Sequence, residues 1–177
     1  MSHPKTPSPQ LYFVAITGKN LELWEKVLNI LKKDLGNLIL QSKIFDFSSF
    51  TSYYAKEMGE NLKKRFYFFE NLKPPEYLIE LKHKCYKIER EFADFSGNRT
   101  VNLDPGYVGL SKIVLSTFKD YAHRIYLDKG VFAEVTLIYR NKTFTELPWT
   151  YPDYKQPEII EIFNKARAWY KEHLNVN

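Results

Sequence analysis

Two amphipathic helix patterns, each flanked by strand patterns, constrain the fold of this chain more than any other feature. Apolar residues recur at three- and four-residue steps over 21–35, between an Asn20 N-cap and a Gly36 stop. A second pattern follows Pro74-Pro75, and its apolar stripe consists of Leu78, Leu81, Cys85, Ile88, Phe92 and Phe95. Both stripes are expected to face a core.

Strand patterns surround these two helices. Residues 11–17 form a short apolar run, the segments 37–47 and 64–72 are rich in β-branched and aromatic residues, and 98–104 alternates before a turn predicted at Asp104-Pro105-Gly106. The polar segment 48–62 is predicted as an extended connection or hairpin. The order strand, helix, strand, strand, helix, strand predicts an α+β fold with a ferredoxin-like split βαβ N-terminal portion.

The C-terminal half extends this unit. Segments 110–119, 123–127, 131–140 and 142–147 predict three or four further strands, an antiparallel hairpin sheet, and Pro157–Leu174 predicts a last helix. We expect this half to cover the free face of the N-terminal sheet. The prediction is one α+β domain over 11–177 after a flexible tail at 1–10.

One hairpin can be aligned residue by residue. A three-residue loop at Asp128-Lys129-Gly130 sets Leu127 opposite Val131, Ile125 opposite Ala133 and Arg124 opposite Glu134. The first face of this hairpin is apolar, with Ile125, Leu127, Val131, Ala133, Val135 and Leu137. The second face is mixed, with Arg124, Tyr126, Phe132, Glu134 and Thr136.

The mixed face is the first candidate site. An Arg124–Glu134 pair is costly to bury unless its other donors and acceptors are satisfied, so it should line a groove or be capped. Lys119, Asp120 and His123 precede the hairpin and bring a cation, a carboxylate and an imidazole near Arg124. Such a cluster fits phosphate binding, proton transfer or a structural ion-pair network.

The segment 149–154, WTYPDY, is the second candidate site, because it is too polar for a core strand and too aromatic for an ordinary loop. Asp153 is placed to cap the last helix or pair with a cation. Trp149 and Tyr151 can fold back onto the hairpin. The segment is therefore either a latch on the sheet or one wall of a ligand groove shared with Tyr107, Lys119 and Arg124.

Composition bears on disulfide formation, on localisation and on the charge of possible partners. Cys85 is the only cysteine, which excludes an intrachain disulfide, and its place in the stripe favours a packed small hydrophobe. The N-terminus lacks the apolar region of a signal peptide, and no run approaches about 18 apolar residues. We expect a cytoplasmic protein without a membrane anchor. The net charge of +5 permits phosphate or nucleic-acid partners without requiring them.

Four motifs carry a resemblance. The runs NLDPGY (102–107), STFKDYAHRIYL (116–127), GVFAEVTL (130–137) and WTYPDY (149–154) resemble those of a bacterial family of domains of unknown function, whose members are sometimes labelled GTP-binding. The resemblance spans nearly the whole chain. It supports one domain and draws attention to these motifs without implying an activity.

The sequence itself argues against a classical GTPase. A P-loop needs glycine where Phe13 stands and Ser or Thr where Asn20 follows Gly18-Lys19. Asn141-Lys142 and Asn164-Lys165 lack the acid of a guanine-binding motif. The four scattered histidines do not suggest a zinc site.

Two function classes remain, beside a third possibility of an interaction protein that uses an exposed aromatic surface. The first is a binding module for a phosphate-bearing ligand, nucleotide or RNA. The predicted ligand-binding residues are Tyr107, Lys119, Arg124, Glu134, Trp149, Tyr151, Asp153 and Arg167. The second is a magnesium-dependent enzyme acting on a phosphorylated substrate, with His123 as acid or base beside Asp120. Its predicted magnesium ligands are Asp104, Asp120 and Glu134.

Overall fold

The computed structural model describes residues 3–174 and confirms the α+β class. The elements follow one another as β1 (Leu11–Gly18), α1 (Leu21–Leu35), β2 (Leu38–Gln41), β3 (Phe45–Asp46), α2 (Ala55–Met58), β4 (Lys63–Phe69), α3 (Tyr77–Glu91), β5 (Val101–Val108), β6 (Lys112–Thr117), β7 (Arg124–Asp128), β8 (Val131–Arg140), β9 (Thr143–Glu146) and α4 (Pro157–His173). A short 3-10 helix, Pro152–Lys155, precedes α4.

The nine strands found in 3–174 form one antiparallel sheet. Their hydrogen-bonded order is β2-β4-β1-β5-β6-β8-β7, with β3 also paired to β4 and β9 to β8. The strands joined by α1 lie on either side of β4, and the strands joined by α3 lie on either side of β1. The ferredoxin-like label stays a prediction drawn from the element order.

The central strand β1 is buried on both faces, which explains its uninterrupted apolar run. Tyr12, Val14 and Ile16 belong to the core that contains α1 and α3. Phe13 and Ala15 point the other way, into a core shared with α4. Each face of the sheet therefore has its own helical cover.

The predicted C-terminal cover of the second face is confirmed, and α4 provides it. Phe163 of α4 lies edge-to-face against Phe13 at 5.0 Å and Phe66 at 5.4 Å between ring centroids. All four predicted C-terminal strands are present, but they lengthen the sheet instead of folding over it.

The two predicted N-terminal helices, α1 and α3, are confirmed, but fewer of their apolar residues are buried than predicted. Asn20 Oδ1 accepts hydrogen bonds from the backbone N–H groups of Glu22 and Leu23 and so caps α1. Leu21, in the first turn, is 47% exposed. The prediction that Phe95 faces the core is wrong, because α3 ends at Glu91 and Phe95 lies beyond it, fully exposed.

The predicted turn at 104–106 is wrong, since β5 runs straight through it. Pro105 pairs with Val14, and Gly106 pairs with Phe13 on one side and Leu115 on the other. Gly106 is needed for close packing and not for a turn. A Cβ added there would lie 2.5 Å from the carbonyl oxygen of Val114 and 2.6 Å from the Phe13 ring.

Two N-terminal segments also differ from expectation. The predicted strand over 37–47 is two short strands, β2 and β3, which both pair with β4. The segment 48–62 contains the helical turn α2 and packs around its own small core of Phe47, Met58 and Leu62. It therefore forms a folded lobe beside the sheet, which we call the α2 lobe (residues 47–62).

The β7–β8 hairpin keeps two of its three predicted pairs, Arg124 with Glu134 and Ile125 with Ala133. The third is wrong: Asp128, not Leu127, faces Val131, and the turn has two residues, Lys129 and Gly130, both with positive φ.

The predicted apolar face of this hairpin is only partly right. A register shift in the pairing of β6 with β8 leaves Thr136 unpaired, so Val135 and Leu137 pack in different cores. Ile125 and Leu127 are 71% and 38% exposed, because β7 is the edge strand of the sheet.

The chain ends are described in part. Residues 3–8 are exposed without regular structure, whereas the Pro9 carbonyl accepts a hydrogen bond from Tyr170 Oη at 2.7 Å. Residues 1–2 of the predicted tail and 175–177 of the predicted domain lie outside the described residues. Within 3–174, no helix combines the length and apolarity that crossing a membrane requires.

Gly106→Ala should destabilise the fold by about 1–3 kcal/mol or more, because the new methyl group would overlap backbone that cannot move freely. Gly109→Ala is the matched control, since its Cβ would meet the flexible end of the Gln10 side chain at 2.9 Å. Urea unfolding of both variants measures the difference, and equal losses would contradict the packing role of Gly106.

Candidate functional site

The sheet splits between its neighbouring strands β5 and β6. The two strands pair only where Gly106–Val108 faces Ile113–Leu115. The next position along β5 is Pro105, which has no N–H to offer β6. Its carbonyl instead accepts a hydrogen bond from Ser116 Oγ at 3.1 Å. Beyond this point β5 stays with β1, and β6 departs with β8.

Two charged residues of α3 satisfy the β5 edge that the split leaves open. The N–H of Leu103 donates to Glu89 Oε1 at 2.6 Å, and Lys82 Nζ donates to the Leu103 carbonyl at 3.4 Å. Lys82 and Glu89 are 9% and 5% exposed. Burial raises the pKa of Glu89 to about 7, against a smaller lowering by Lys82.

The split opens into a cavity of about 720 Å³. Its walls come from α3, from the separated ends of β5 and β6, from the α2 lobe and from the segment 151–154. The aromatic lining residues are Phe47, Phe50, Tyr53, Tyr54, Tyr86, Phe118, Tyr151 and Tyr154. The charged ones are Lys64, Lys82, Arg90, Arg99, Lys119, Glu57, Glu89, Asp104, Glu134 and Asp153.

A chain of polar contacts crosses one side of the cavity. Arg99 forms a two-point ion pair with Glu57 of the α2 lobe, with contacts of 2.8 Å and 2.7 Å. The pKa of Glu57 is lowered by this hydrogen bonding. Arg99 Nη1 also donates to Asn102 Oδ1 at 2.7 Å, and Asn102 Nδ2 donates to Asp104 Oδ2 at 2.8 Å.

Glu134 lies on the opposite side, with 2% of its surface exposed. Its Oε2 accepts hydrogen bonds from Arg124 Nε at 3.0 Å and from His123 Nε2 at 2.9 Å. Its Oε1 accepts one from Thr136 Oγ1 at 3.2 Å. The predicted Arg124–Glu134 pair is thus present and capped, as the cost of burying it requires.

The WTYPDY segment holds itself to the hairpin through several contacts. Trp149 Nε1 donates to the Val135 carbonyl at 2.7 Å, and its ring stacks on His123 with 5.0 Å between centroids. Tyr151 Oη accepts from Arg124 Nη2 at 2.9 Å. Since Tyr151 also lines the cavity, the segment is both latched to the sheet and part of the wall.

Asp153 pairs with a cation, one of the two roles predicted for it. Its Oδ2 lies 2.7 Å from Lys64 Nζ of β4, and both side chains are 4% exposed. The same ammonium group lies over the rings of Phe47 and Tyr154 at 4.6 Å and 5.3 Å. This buried pair anchors the start of α4 to the strand beside the cavity.

The predicted site residues divide into three groups. Asp104, Lys119, Glu134, Tyr151 and Asp153 line the cavity. Three more, His123, Arg124 and Trp149, lie behind its wall and contact lining residues or each other.

The third group lies elsewhere. Tyr107 packs against Tyr12 in the core under α1 and α3. Arg167 lies over the Tyr139 ring and donates to the Leu110 carbonyl. Asp120 is exposed, and no hydrogen bond joins it to His123 in the part of the chain that the structure describes. The predicted magnesium ligands are not brought together: within 3–174, no three His, Cys, Asp or Glu side chains cluster as metal ligands would.

Sequence reasoning missed the residues that α3 and the α2 lobe contribute. Lys82 and Glu89 occupy the helix face that carries Leu78, Leu81, Cys85 and Ile88. Two charges seven residues apart within an apolar stripe were the available signal for a buried polar role. Nothing in the local pattern indicated that residues 47–62 would fold back beside β5.

Glu89→Gln tests the buried carboxyl through pH. Because the folded pKa of about 7 exceeds the ordinary value of 4.5, the folded state holds more protons between these values, and stability falls as pH rises from 5 to 7. Between pH 5 and pH 8, the free energy of unfolding of Glu89→Gln should therefore decrease less than that of the wild type, by up to about 3 kcal/mol. Urea unfolding at pH 5 and pH 8 measures it, with Glu91→Gln, an exposed neighbour, as control. Parallel pH profiles for wild type and Glu89→Gln would contradict the burial effect.

The comparisons with known proteins give one match. A family model described as "Domain of unknown function (DUF4416)" matches residues 8–170. No curated protein and no solved structure matches the chain. The match confirms the resemblance that the motifs indicated, and it extends over the helices, the sheet and every wall of the cavity. The chain therefore belongs to the DUF4416 family of domains of unknown function.

Proposed function

We propose that this protein binds a small phosphate-bearing ligand, of nucleotide size, in the cavity between β5 and β6. The observation that carries the proposal is the split in the sheet, which opens a space of about 720 Å³ between aromatic rings and cationic side chains. Ligand sites are commonly clefts of about 300–1,000 Å³ with apolar walls and a few convergent polar groups.

Cations without ion-pair partners support the phosphate part of the proposal. Lys82, Arg90 and Lys119 line the cavity, and none of them forms an ion pair within residues 3–174. By contrast, Lys64 and Arg99 are neutralised by Asp153 and Glu57. Lys82 is also engaged with the Leu103 carbonyl, so Arg90 and Lys119 are the lining cations open to an anionic ligand.

Lys119 is the best placed of these to meet an incoming anion. It is exposed, and its Nζ donates to Tyr53 Oη of the α2 lobe at 2.5 Å. Tyr53 is 64% exposed, so a phosphate can replace its hydroxyl as partner of the ammonium group without breaking the core. Tyr86 and Phe118, in contact with each other at 5.7 Å, add half-exposed rings for stacking.

The enclosed shape favours a small molecule over an extended strand of RNA. Single-stranded nucleic acid needs a charged groove that follows the backbone over several nucleotides. Here the aromatic and cationic residues converge on one space.

The catalytic alternative has less support. His123 and Asp120 do not line the cavity, and the contacts of His123 with Glu134 and Trp149 hold it within the hairpin wall.

Isothermal titration calorimetry with AMP, ribose phosphate and inorganic phosphate tests the proposal. AMP should bind the wild type, and Lys119→Gln should weaken binding by about tenfold or more, since a hydrogen bond to a charged group contributes about 1.5–3 kcal/mol. Lys112→Gln is the matched control, because Lys112 is exposed at the far end of β6 and does not line the cavity.

Two results would contradict the proposal. The first is the absence of both heat and a rise in melting temperature with all three ligands. The second is tight binding of an adenosine RNA oligomer without any binding of AMP. That result would place ligand binding on an extended surface and not in the cavity.

A further inference from the structure

Asp104 stands apart from the other carboxylates that line the cavity. Glu57 is paired with Arg99, Asp153 with Lys64, and Glu134 with Arg124. Glu89 forms no ion pair within the described residues either, but it is 5% exposed and its Oε1 already accepts from the Leu103 N–H. Asp104 forms no ion pair within the described residues, and the only hydrogen bond it receives from side chains there comes from Asn102. Its Oδ2 is held at 2.8 Å by that amide, whereas its Oδ1 has no donor in residues 3–174.

The position of this carboxylate is fixed by the chain of contacts behind it. Glu57 holds Arg99 at two points, Arg99 holds the oxygen of Asn102, and the nitrogen of Asn102 holds Asp104. The bond from Arg99 also fixes which end of the Asn102 amide faces Asp104. Asn102 is 4% exposed, so the link next to Asp104 is shielded from water, whereas the Arg99 and Glu57 side chains are 27% and 34% exposed. Asp104 is therefore presented to the cavity in one orientation, with one oxygen available.

A half-buried carboxylate oxygen without a donor gains most from a ligand that supplies one. The donor must be compatible with the anionic ligand that Lys119 and Arg90 favour. A hydroxyl group meets this condition, because it donates without carrying charge and commonly occurs beside a phosphate on a sugar.

We propose that Asp104 binds the sugar hydroxyls of the ligand, so that the cavity selects a ribose phosphate unit over its deoxy counterpart. This inference rests on the proposed function and makes it specific. Cations bind the phosphate, aromatic rings stack on the base, and Asp104 accepts hydrogen bonds from the sugar hydroxyls. Carboxylates serve the same purpose in dinucleotide-binding proteins, where an acidic residue binds ribose hydroxyls. Asn102 and Arg99 act as positioning residues for Asp104.

Calorimetric titration of AMP and dAMP into wild type, Asp104→Asn and Asp120→Asn tests this inference. The wild type should bind AMP about tenfold or more tightly than dAMP, since the lost hydroxyl bonded to a charged group. In Asp104→Asn, AMP should weaken to the level of dAMP, while dAMP changes little. Asp120→Asn is the matched control, because this exposed carboxylate lies outside the cavity and should leave the AMP to dAMP ratio unchanged.

The outcomes separate this inference from the proposed function. Equal binding of AMP and dAMP to the wild type would overturn the role of Asp104 and leave the phosphate site standing. Failure of AMP, dAMP and ribose phosphate to bind at all would overturn both. The wild-type ratio requires no variant, so a poorly folded Asp104→Asn would not prevent the decision. Discrimination that persists in a folded Asp104→Asn would place hydroxyl recognition elsewhere.

Discussion

Two hydrogen bonds at Leu103 allow this sheet to open without leaving backbone polar groups unsatisfied: Lys82 donates to its carbonyl, and Glu89 accepts from its N–H. Pro105 removes one donor from the β5 edge, and Ser116 supplies the partner for its carbonyl. The next pair of edge groups belongs to Leu103, and both are met by α3. Unsatisfied buried groups cost about 1–3 kcal/mol each, so without these contacts β6 would gain by staying beside β5. The cavity forms because side chains of α3 replace β6 as the hydrogen-bonding partners of β5.

Three ion pairs hold residues in the walls of the cavity. Lys64–Asp153 and Arg99–Glu57 each join two elements that are distant in sequence, whereas Arg124–Glu134 crosses the β7–β8 hairpin. Removing one partner of a buried pair leaves a charge without compensation, which costs more than the pair contributes. Lys64–Asp153 therefore fixes the WTYPDY segment to β4, and Arg99–Glu57 fixes the α2 lobe to the segment before β5. Lys119, Arg90 and Asp104 remain outside this pairing, and this distinguishes groups that hold the site from groups available to a ligand.

Patterns of period 2 and 3.6 were sufficient to predict most of the fold. The two long helices, the central strand, the four C-terminal strands and α4 all follow from apolar spacing and capping residues. The errors lie where packing overrides local preference. Asp104-Pro105-Gly106 has the composition of a turn, yet it runs through the sheet because Gly106 admits Phe13 and the neighbouring strand. Tyr107, predicted to share a ligand groove with Lys119 and Arg124, lies instead on the face of β5 that packs under α1 and α3.

The candidate site was predictable only in part, for a related reason. The Arg124–Glu134 pair follows from hairpin register, and the aromatic composition of 149–154 predicted that Trp149 and Tyr151 can fold back onto the hairpin. Lys82 and Glu89 were visible only as charges within the apolar stripe of α3, and Arg99 and the α2 lobe reach the cavity through tertiary contacts that no local pattern encodes. Arg167, although close to the apolar stripe of α4, lies toward Tyr139 and Leu110 and so outside the site.

The most direct test of the account is to map ligand binding onto the backbone by NMR, with AMP titrated into the ¹⁵N-labelled protein. The account predicts that the largest amide shifts occur on both sides of the split, at Leu103 and its neighbours in β5, at Ser116–Lys119, and at Tyr53 in the α2 lobe. Shifts confined to the β7 edge or to the outer surface of α4, with Leu103 and Ser116 unaffected, would contradict the claim that the opened sheet is the binding site.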